Sequence, residues 1–438
     1  MAGDLQRPPR ESVTPLVLEK VVWAGANLGS YQQAAAAIRE LAEIDLAPKQ
    51  LQRISSQVGG DCVEERRSAV EEHRGRPLME RVAAPAGVDA PELAVVMMDG
   101  GRFQRRDHFR ERKSSPQGAS AASGASAASR RVAAAAPSSE QKQTTHWRED
   151  KVGIVLSMHS DVHPEDPCPE FPAWLAGAGV VAELAKLAAR DEDAEETATD
   201  DSAPVVEGEG DLSDWRELAP ELLSREVIAS SEEAEDFGRH LEWKAWTQGV
   251  FNAARQAFVA DGLAVNWRIH KRHFSQTTPI LDLMHALSYA WRAAAGLGER
   301  HLYGRWAGWI WQGRVDRVIG ELKVHQKRIG APPPEASASD PRERLGRAIT
   351  YYTNHKGRMR YPEYRRRGLP LTSSHIESTI KQINARVKGT EKFWKAASGD
   401  AILQLRADSL SDTRPLDSFW IRWRNRQTGT NTYRTLAT

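Results

Sequence analysis

Asp99, Asp261 and Glu377 are far apart in the chain, but each sits where a fold could present a carboxylate. Asp99 ends the apolar run Leu93–Met98, Asp261 ends Phe258-Val259-Ala260, and a glycine follows each aspartate. Glu377 opens a basic helix in which Ile376, Ile380, Ile383 and Val387 form one apolar stripe at a 3.6-residue period. Lys381, Asn384 and Lys388 repeat the spacing from Glu377, so the acid shares a face with two ammonium groups. Three convergent oxygen donors suit Mg²⁺, with Mn²⁺ as a substitute, in an enzyme acting on nucleic-acid phosphates. Each signal has an ordinary reading as well. Asp-Gly after a strand is a common hairpin turn. Ser374-His375-Ile376-Glu377 reads as a capping box with Ser374 as N-cap, and Glu377–Lys381 is an i, i+4 pair.

The elements that would position these acids are legible in outline. Residues 1–85 read as a helical, helix-turn-helix-like region, with Lys49, Gln50, Gln52 and Arg53 on the second helix. Residues 86–285 carry the strand-like runs, interrupted by a Ser/Ala/Gly tract at 113–145 and an acidic insertion at 190–236. A helix is expected through Trp246–Phe258, just before the strand that ends at Asp261. A tryptophan-rich helical insertion fills 286–368, and 369–438 holds the glutamate helix and a basic tail. Strands early, helices between the second and third acids, and a last acid on a helix indicate an α/β, ribonuclease-H-like (retroviral-integrase-type) catalytic core with a helical insertion, preceded by an N-terminal all-α region.

Charge and composition narrow the partners. The net charge is only +1, but residues 191–236 hold 18 acids against Arg216 and Arg225. Residues 341–438 hold 20 Lys or Arg against 8 acids, so double-stranded DNA is the expected partner. Arg365, Arg366, Arg367, Lys381 and Lys388 would grip phosphates without reading sequence. Trp394 reads either as a base-stacking platform or as a core residue. Cys62 and Cys168 are too few for a disulfide framework or a four-cysteine zinc site. No apolar run nears the ~20 residues that a membrane span needs, and the N-terminus lacks an apolar signal core. A cytoplasmic, nucleoid-associated protein is expected.

Several ordered blocks resemble the ISKra-type bacterial insertion-sequence transposases, which are similar to the Mutator-like DDE group. They are Asp99-Gly100-Gly101-Arg102, His146–Val152, Val259–Gly262, Ile280–His285, Arg358–Pro362, Gly368–Ser378 and Arg386–Gly389. The resemblance implies that Asp99, Asp261 and Glu377 bind metal, with Asp282 and His285 of Asp282-Leu283-Met284-His285 supporting the site. Asp282 is the other candidate for second ligand, and His285 either shuttles a proton or holds a neighbouring loop. It further implies cutting at terminal inverted repeats, joining of the freed 3′-hydroxyl to target DNA, and a homo-oligomer on DNA. Ser373-Ser374-His375 stands where the family leads one to expect Gly-Ser-Gly.

Three other readings remain at this stage. One is an inactive or domesticated transposase that only binds DNA, and another is a metal-dependent nuclease without strand transfer. The third is a glycosidase using two of the acids, with tryptophans lining a sugar cleft.

Overall fold

The computed structural model describes residues 14–105, 147–177, 179–187, 219–389 and 392–428. The 113–145 tract, residues 190–218 of the acidic stretch, His146, Glu391 and the last ten residues lie outside the described residues.

One mixed sheet organises the core. Its strands are β1 (Leu93–Arg105), β2 (Trp147–His159), β3 (Glu221–Ser230), β4 (Arg255–Ala260), β5 (Thr278–Leu281) and the short β6 (Phe393–Trp394). The order is β3-β2-β1-β4-β5, with β6 paired to the end of β1. β2 runs antiparallel to β1 and β3, while β4 is parallel to β1 and β5 is parallel to β4. Leu93–Met98 is buried at every position, and so is Ala257–Ala260. Unbroken apolar runs of this kind belong to strands covered on both faces.

Helices supply that cover. N-terminal to the sheet come α1 (Pro15–Asn27), α2 (Tyr31–Ala42), α3 (Pro48–Gly75) and α4 (Leu78–Val82). Within the sheet's connections lie α5 (Ala234–Thr247) and α6 (Ala264–His273). The insertion after β5 is α7 (Leu283–Gly296), α8 (His301–Trp311), α9 (Val315–Ile329), α10 (Pro341–His355) and α11 (Tyr361–Arg366). Then follow α12 (Ser374–Val387), α13 (Ala396–Leu410) and α14 (Pro415–Thr428).

Two expectations shift. No helix runs through Trp246–Phe258: α5 stops at Thr247, Gly249 turns the backbone left-handed (φ 65°), and β4 starts at Arg255. The acidic stretch does not continue as an insertion to 236, because from Glu221 it is β3 and from Ala234 it is α5. Two of its acids there are paired inward. Glu226 meets Lys244 at 3.1 Å, and Glu232 is shared by Arg66, Arg67 and His240.

The tryptophans of the insertion are packing residues. Trp306 and Trp311 are fully buried with Tyr352, Tyr361 and Tyr364, so they cannot line a sugar cleft.

The N-terminal helices share a core with the C-terminal ones. Val21, Ile38, Leu51 and Ile54 pack with Leu405, Phe419 and Trp420. At the α3–α13 crossing, a Cβ on Gly59 would fall 2.5 Å from the Ala401 carbonyl oxygen. Backbone cannot yield as a flexible side chain does. Gly59→Ala should therefore cost roughly 1–3 kcal/mol, read as a lower urea midpoint at unchanged m-value.

Candidate metal centre

Sheet register brings the aspartates together. Met97 pairs with Val259 across β1 and β4, so Asp99 and Asp261, each two residues further along the chain, come level. Ala260 pairs with Leu281 across β4 and β5, which places Asp282 beside Asp261. Glu377 arrives from the first turn of α12, which packs against β1 and β2. Ligand atoms of Asp282, His285 and Glu377 all lie within 4.8 Å of one another. Asp99 lies within electrostatic reach of Asp261, His285 and Glu377, and Asp261 within reach of His285 and Asp282. Asp282, His285 and Glu377 therefore form one close cluster, and Asp99 and Asp261 stand near enough to act on it electrostatically without belonging to it.

Their hydrogen bonds divide them into two groups. Asp282 is fully buried and its acceptor capacity is spent. Its Oδ1 accepts from the His285 amide (2.7 Å) and lies 3.1 Å from His285 Nδ1. Its Oδ2 accepts from the Ser373 amide and from Ser373 Oγ at 2.8 Å. It thus caps α7 and also ties down the turn that launches α12. A cation on Asp282 would have to displace one of these bonds. Asp99 and Asp261 differ. Asp99 Oδ1 accepts from Gly100 N (2.7 Å), and Asp261 Oδ1 accepts from Leu263 N (2.9 Å) and Asn266 Nδ2 (2.7 Å). The second oxygen of each has no hydrogen-bond partner among the described residues, leaving it available to a hard cation. We therefore favour Asp261 over Asp282 as second ligand, although Asp282, His285 and Glu377 are the tighter cluster.

The Asp99-Gly100-Gly101 motif and the turn before Glu377 gain physical explanations. A Cβ on Gly101 would fall 2.8 Å from Asp150 Oδ1, so that glycine makes room for a buried acid on the neighbouring strand. Ser374 is not the N-cap of α12. The N-cap is Ser373, whose side chain leaves the helix uncapped because its hydroxyl goes to Asp282, so no capping box joins Ser374 to Glu377. Ser373 has φ −95°, a conformation any residue adopts, so the turn does not need a glycine there.

Crowding of like charges shows in the acid–base balance. Burial, then the Asp261 charge and more weakly Glu377, push the Asp99 carboxyl up to about 7. Burial also raises Asp261, with Asp282 adding and His285 opposing. For His285, burial alone would lower the pKa. The bond to Asp282 and the charges of Asp282, Asp261 and Glu377 outweigh it and hold the ring up at about 10. Asp282 lies below its ordinary value because the His285 contact and the His285 and Ser373 amides overcome burial.

A pH dependence follows. Asp99 binds its proton more tightly folded than unfolded, so its contribution to stability is full below about pH 4 and is lost as pH rises through about 7. A cation that replaces the proton should therefore stabilise most at high pH. Melting with Mg²⁺ or EDTA is expected to show a larger Mg²⁺ increment at pH 8 than at pH 5.5.

Of the expected DNA contacts, only some are placed for that role. Lys49, Arg53, Arg366 and Lys381 are exposed. Gln50 is turned back to accept from Ala47 N at 2.9 Å, capping its own helix. Arg365 is buried: it pairs with Asp166, and its guanidinium stacks 4.0 Å from the Trp311 ring centroid, so it grips no phosphate at the surface. Arg367 is half-buried and bonds Thr278 Oγ1 at 3.1 Å, and Lys388 lies over the Trp147 ring. Trp394 is a core residue that donates to the Val387 carbonyl at 2.9 Å under Arg386. Sequence reasoning missed Ser373 and Asn266, which orient two of the acids. The five-residue spacing from Asp261 to Asn266, across the start of α6, was the available signal for the second.

The chain matches no protein-family model and no curated protein.

Proposed function

We propose that this chain is a DDE-type DNA transposase whose sheet is a ribonuclease-H-like core. Strand order β3-β2-β1-β4-β5, with only β2 reversed, supports the fold. One observation carries the function: Asp99 within β1 interacts electrostatically with both Asp261, just past β4, and Glu377, in the first turn of α12, and both aspartates keep an unshared oxygen.

The donor set fits Mg²⁺, since the candidate ligands are carboxylates whose mutual repulsion a divalent cation would relieve. Asp99, Asp261 and Glu377 would hold it, and when bound it would lower the pKa of water and offset charge developing on phosphate oxygens. Asp282 holds His285 by Nδ1, which leaves Nε2–H of the protonated ring as a donor toward a phosphate or leaving oxygen. Asn266 and the Leu263 amide fix the Asp261 carboxylate, and Ser373 fixes the start of the Glu377 helix. In the first reaction water attacks phosphorus at an element end and frees a 3′-hydroxyl. In the second that hydroxyl attacks target DNA and displaces a 3′-oxygen. The exposed Lys49, Arg53, Arg366 and Lys381 would neutralise phosphates.

The test is incubation of end-bearing duplex DNA with target DNA in Mg²⁺ or EDTA. Nicked and joined products in Mg²⁺ alone are expected. Nicks without joined product would reduce the reading to a nuclease, and binding without either product to a DNA-binding protein. Among the described residues no helix is long and apolar enough to cross a membrane.

A further inference from the structure

We infer that Arg358 holds a backbone phosphate of the DNA strand whose reacting phosphate lies at the metal centre, an inference that rests on the DNA-processing reading above. Arg358 closes the short turn Lys356–Arg358 that follows α10. Its guanidinium carbon lies 4.1 Å from the centroid of the Trp267 ring, and Trp267 Nε1 donates to the Asp261 carbonyl at 2.8 Å. One indole therefore separates this cation from the backbone of the second metal ligand. Phosphates of one strand follow each other at about 3.4 Å of helix rise, so a strand seated at the metal carries further phosphates past Arg358.

The charge of Arg358 is not spent within the protein, since it makes no ion pair among the described residues. Its Nη1 donates to His355 Nδ1 at 2.8 Å. Burial and then the Arg358 charge hold His355 down at about 4, so the ring is neutral at pH 7 and serves only as an acceptor. Arg358 Nε and Nη2 make no hydrogen bond among the described residues, and solvent reaches them at this half-buried position. Trp267 and His355 thus fix the guanidinium plane and leave open the edge whose two parallel N–H groups match a phosphate. A partly buried cation without a counter-charge is costly, and an anionic oxygen would offset that cost.

The neighbouring helix continues the positive surface. α6 begins three residues after Asp261, and its Arg268 and Lys271 are exposed and make no ion pair among the described residues. Lys271 follows Trp267 by about one helical turn. Arg272, by contrast, is matched by Glu235 at 2.7 Å. Several unmatched cations leading from the acids fit a polyanion better than a single small anion.

The test is duplex DNA binding by the full chain in EDTA, where no cleavage intervenes, over a range of salt. Arg358→Gln should weaken binding about tenfold and flatten the slope of log affinity against log salt by about 0.9, the share of one phosphate. Arg358→Lys should restore that slope, which a merely structural role does not predict. If Arg358→Gln folds poorly, Lys271→Gln at its exposed position takes its place with the same expected flattening. The parent's slope in the folded variant overturns the inference, whether or not the parent cleaves DNA. A flattened slope in a chain that does not nick DNA in Mg²⁺ keeps the phosphate contact and removes the transposase reading. A parent chain that binds no DNA removes both. Calorimetry with inorganic phosphate should show no saturable binding. Saturable binding that Arg358→Gln abolishes, with the DNA slope unchanged, assigns Arg358 to a small free anion and overturns the inference.

Discussion

Asp99→Asn is expected to lower DNA cleavage by at least ~10³-fold, about 4 kcal/mol of barrier, while leaving the metal-free protein as stable as the parent or more so. Asparagine keeps the shape and the acceptor for Gly100 N but removes a charge that burial, Asp261 and Glu377 all oppose. An active-site carboxylate held in that setting is a cost to the fold that only a cation or a proton relieves, and removing it trades activity for stability. The same substitution should abolish the Mg²⁺-dependent rise in melting temperature, because one donor is lost and the repulsion has already gone. Asp261→Asn should behave alike, with a smaller stability gain because Asn266 and the Leu263 amide favour the charged form. Cleavage rates and melting curves, each with and without Mg²⁺, read both effects. Wild-type cleavage by Asp99→Asn would sink the metal-centre reading outright.

How far the sequence reveals this site depends on range. The apolar runs Leu93–Met98 and Phe258–Ala260 mark strands because burial on both faces forces consecutive hydrophobic residues, and an acid directly after such a run marks where that cover ends, within β1 for Asp99 and just past β4 for Asp261. Period-3.6 spacing placed Glu377 on a helix for the same local reason. Strand order and register are set by contacts between distant segments, so the levelling of Asp99 with Asp261 could only be expected, not read. Arg365 shows the opposite failure. Its neighbours Arg366 and Arg367 made it look like part of a basic patch, and only the distant Asp166 and Trp311 turn it inward. Gln50 misleads in a similar way, because a capping side chain and a base-reading one share a composition. Past residue 220 the acidic composition is no sign of an insertion, because Glu226 and Glu232 find cations on α5 and α3, which composition cannot register.

Asp282→Ala should fail in a way that Asp99→Asn does not, by losing the fold as well as the reaction. Four donors converge on the Asp282 carboxylate: the His285 amide and ring, and the Ser373 amide and hydroxyl. Alanine strands all of them in a site with no exposure to solvent, and leaves the His285 ring without its closest counter-charge. Breaking a buried pair by removing one partner costs about 3–5 kcal/mol, which urea unfolding would report as a lower midpoint. The His285 pKa should also fall well below about 10, since the Asp282 bond and charge head the influences that raise it; proton NMR of the ring would follow this. Stability lost together with a lowered His285 pKa is the mark of a positioning carboxylate. If Asp282→Ala instead keeps the parent's midpoint and only removes Mg²⁺ binding, Asp282 is the second metal ligand and Asp261 its support.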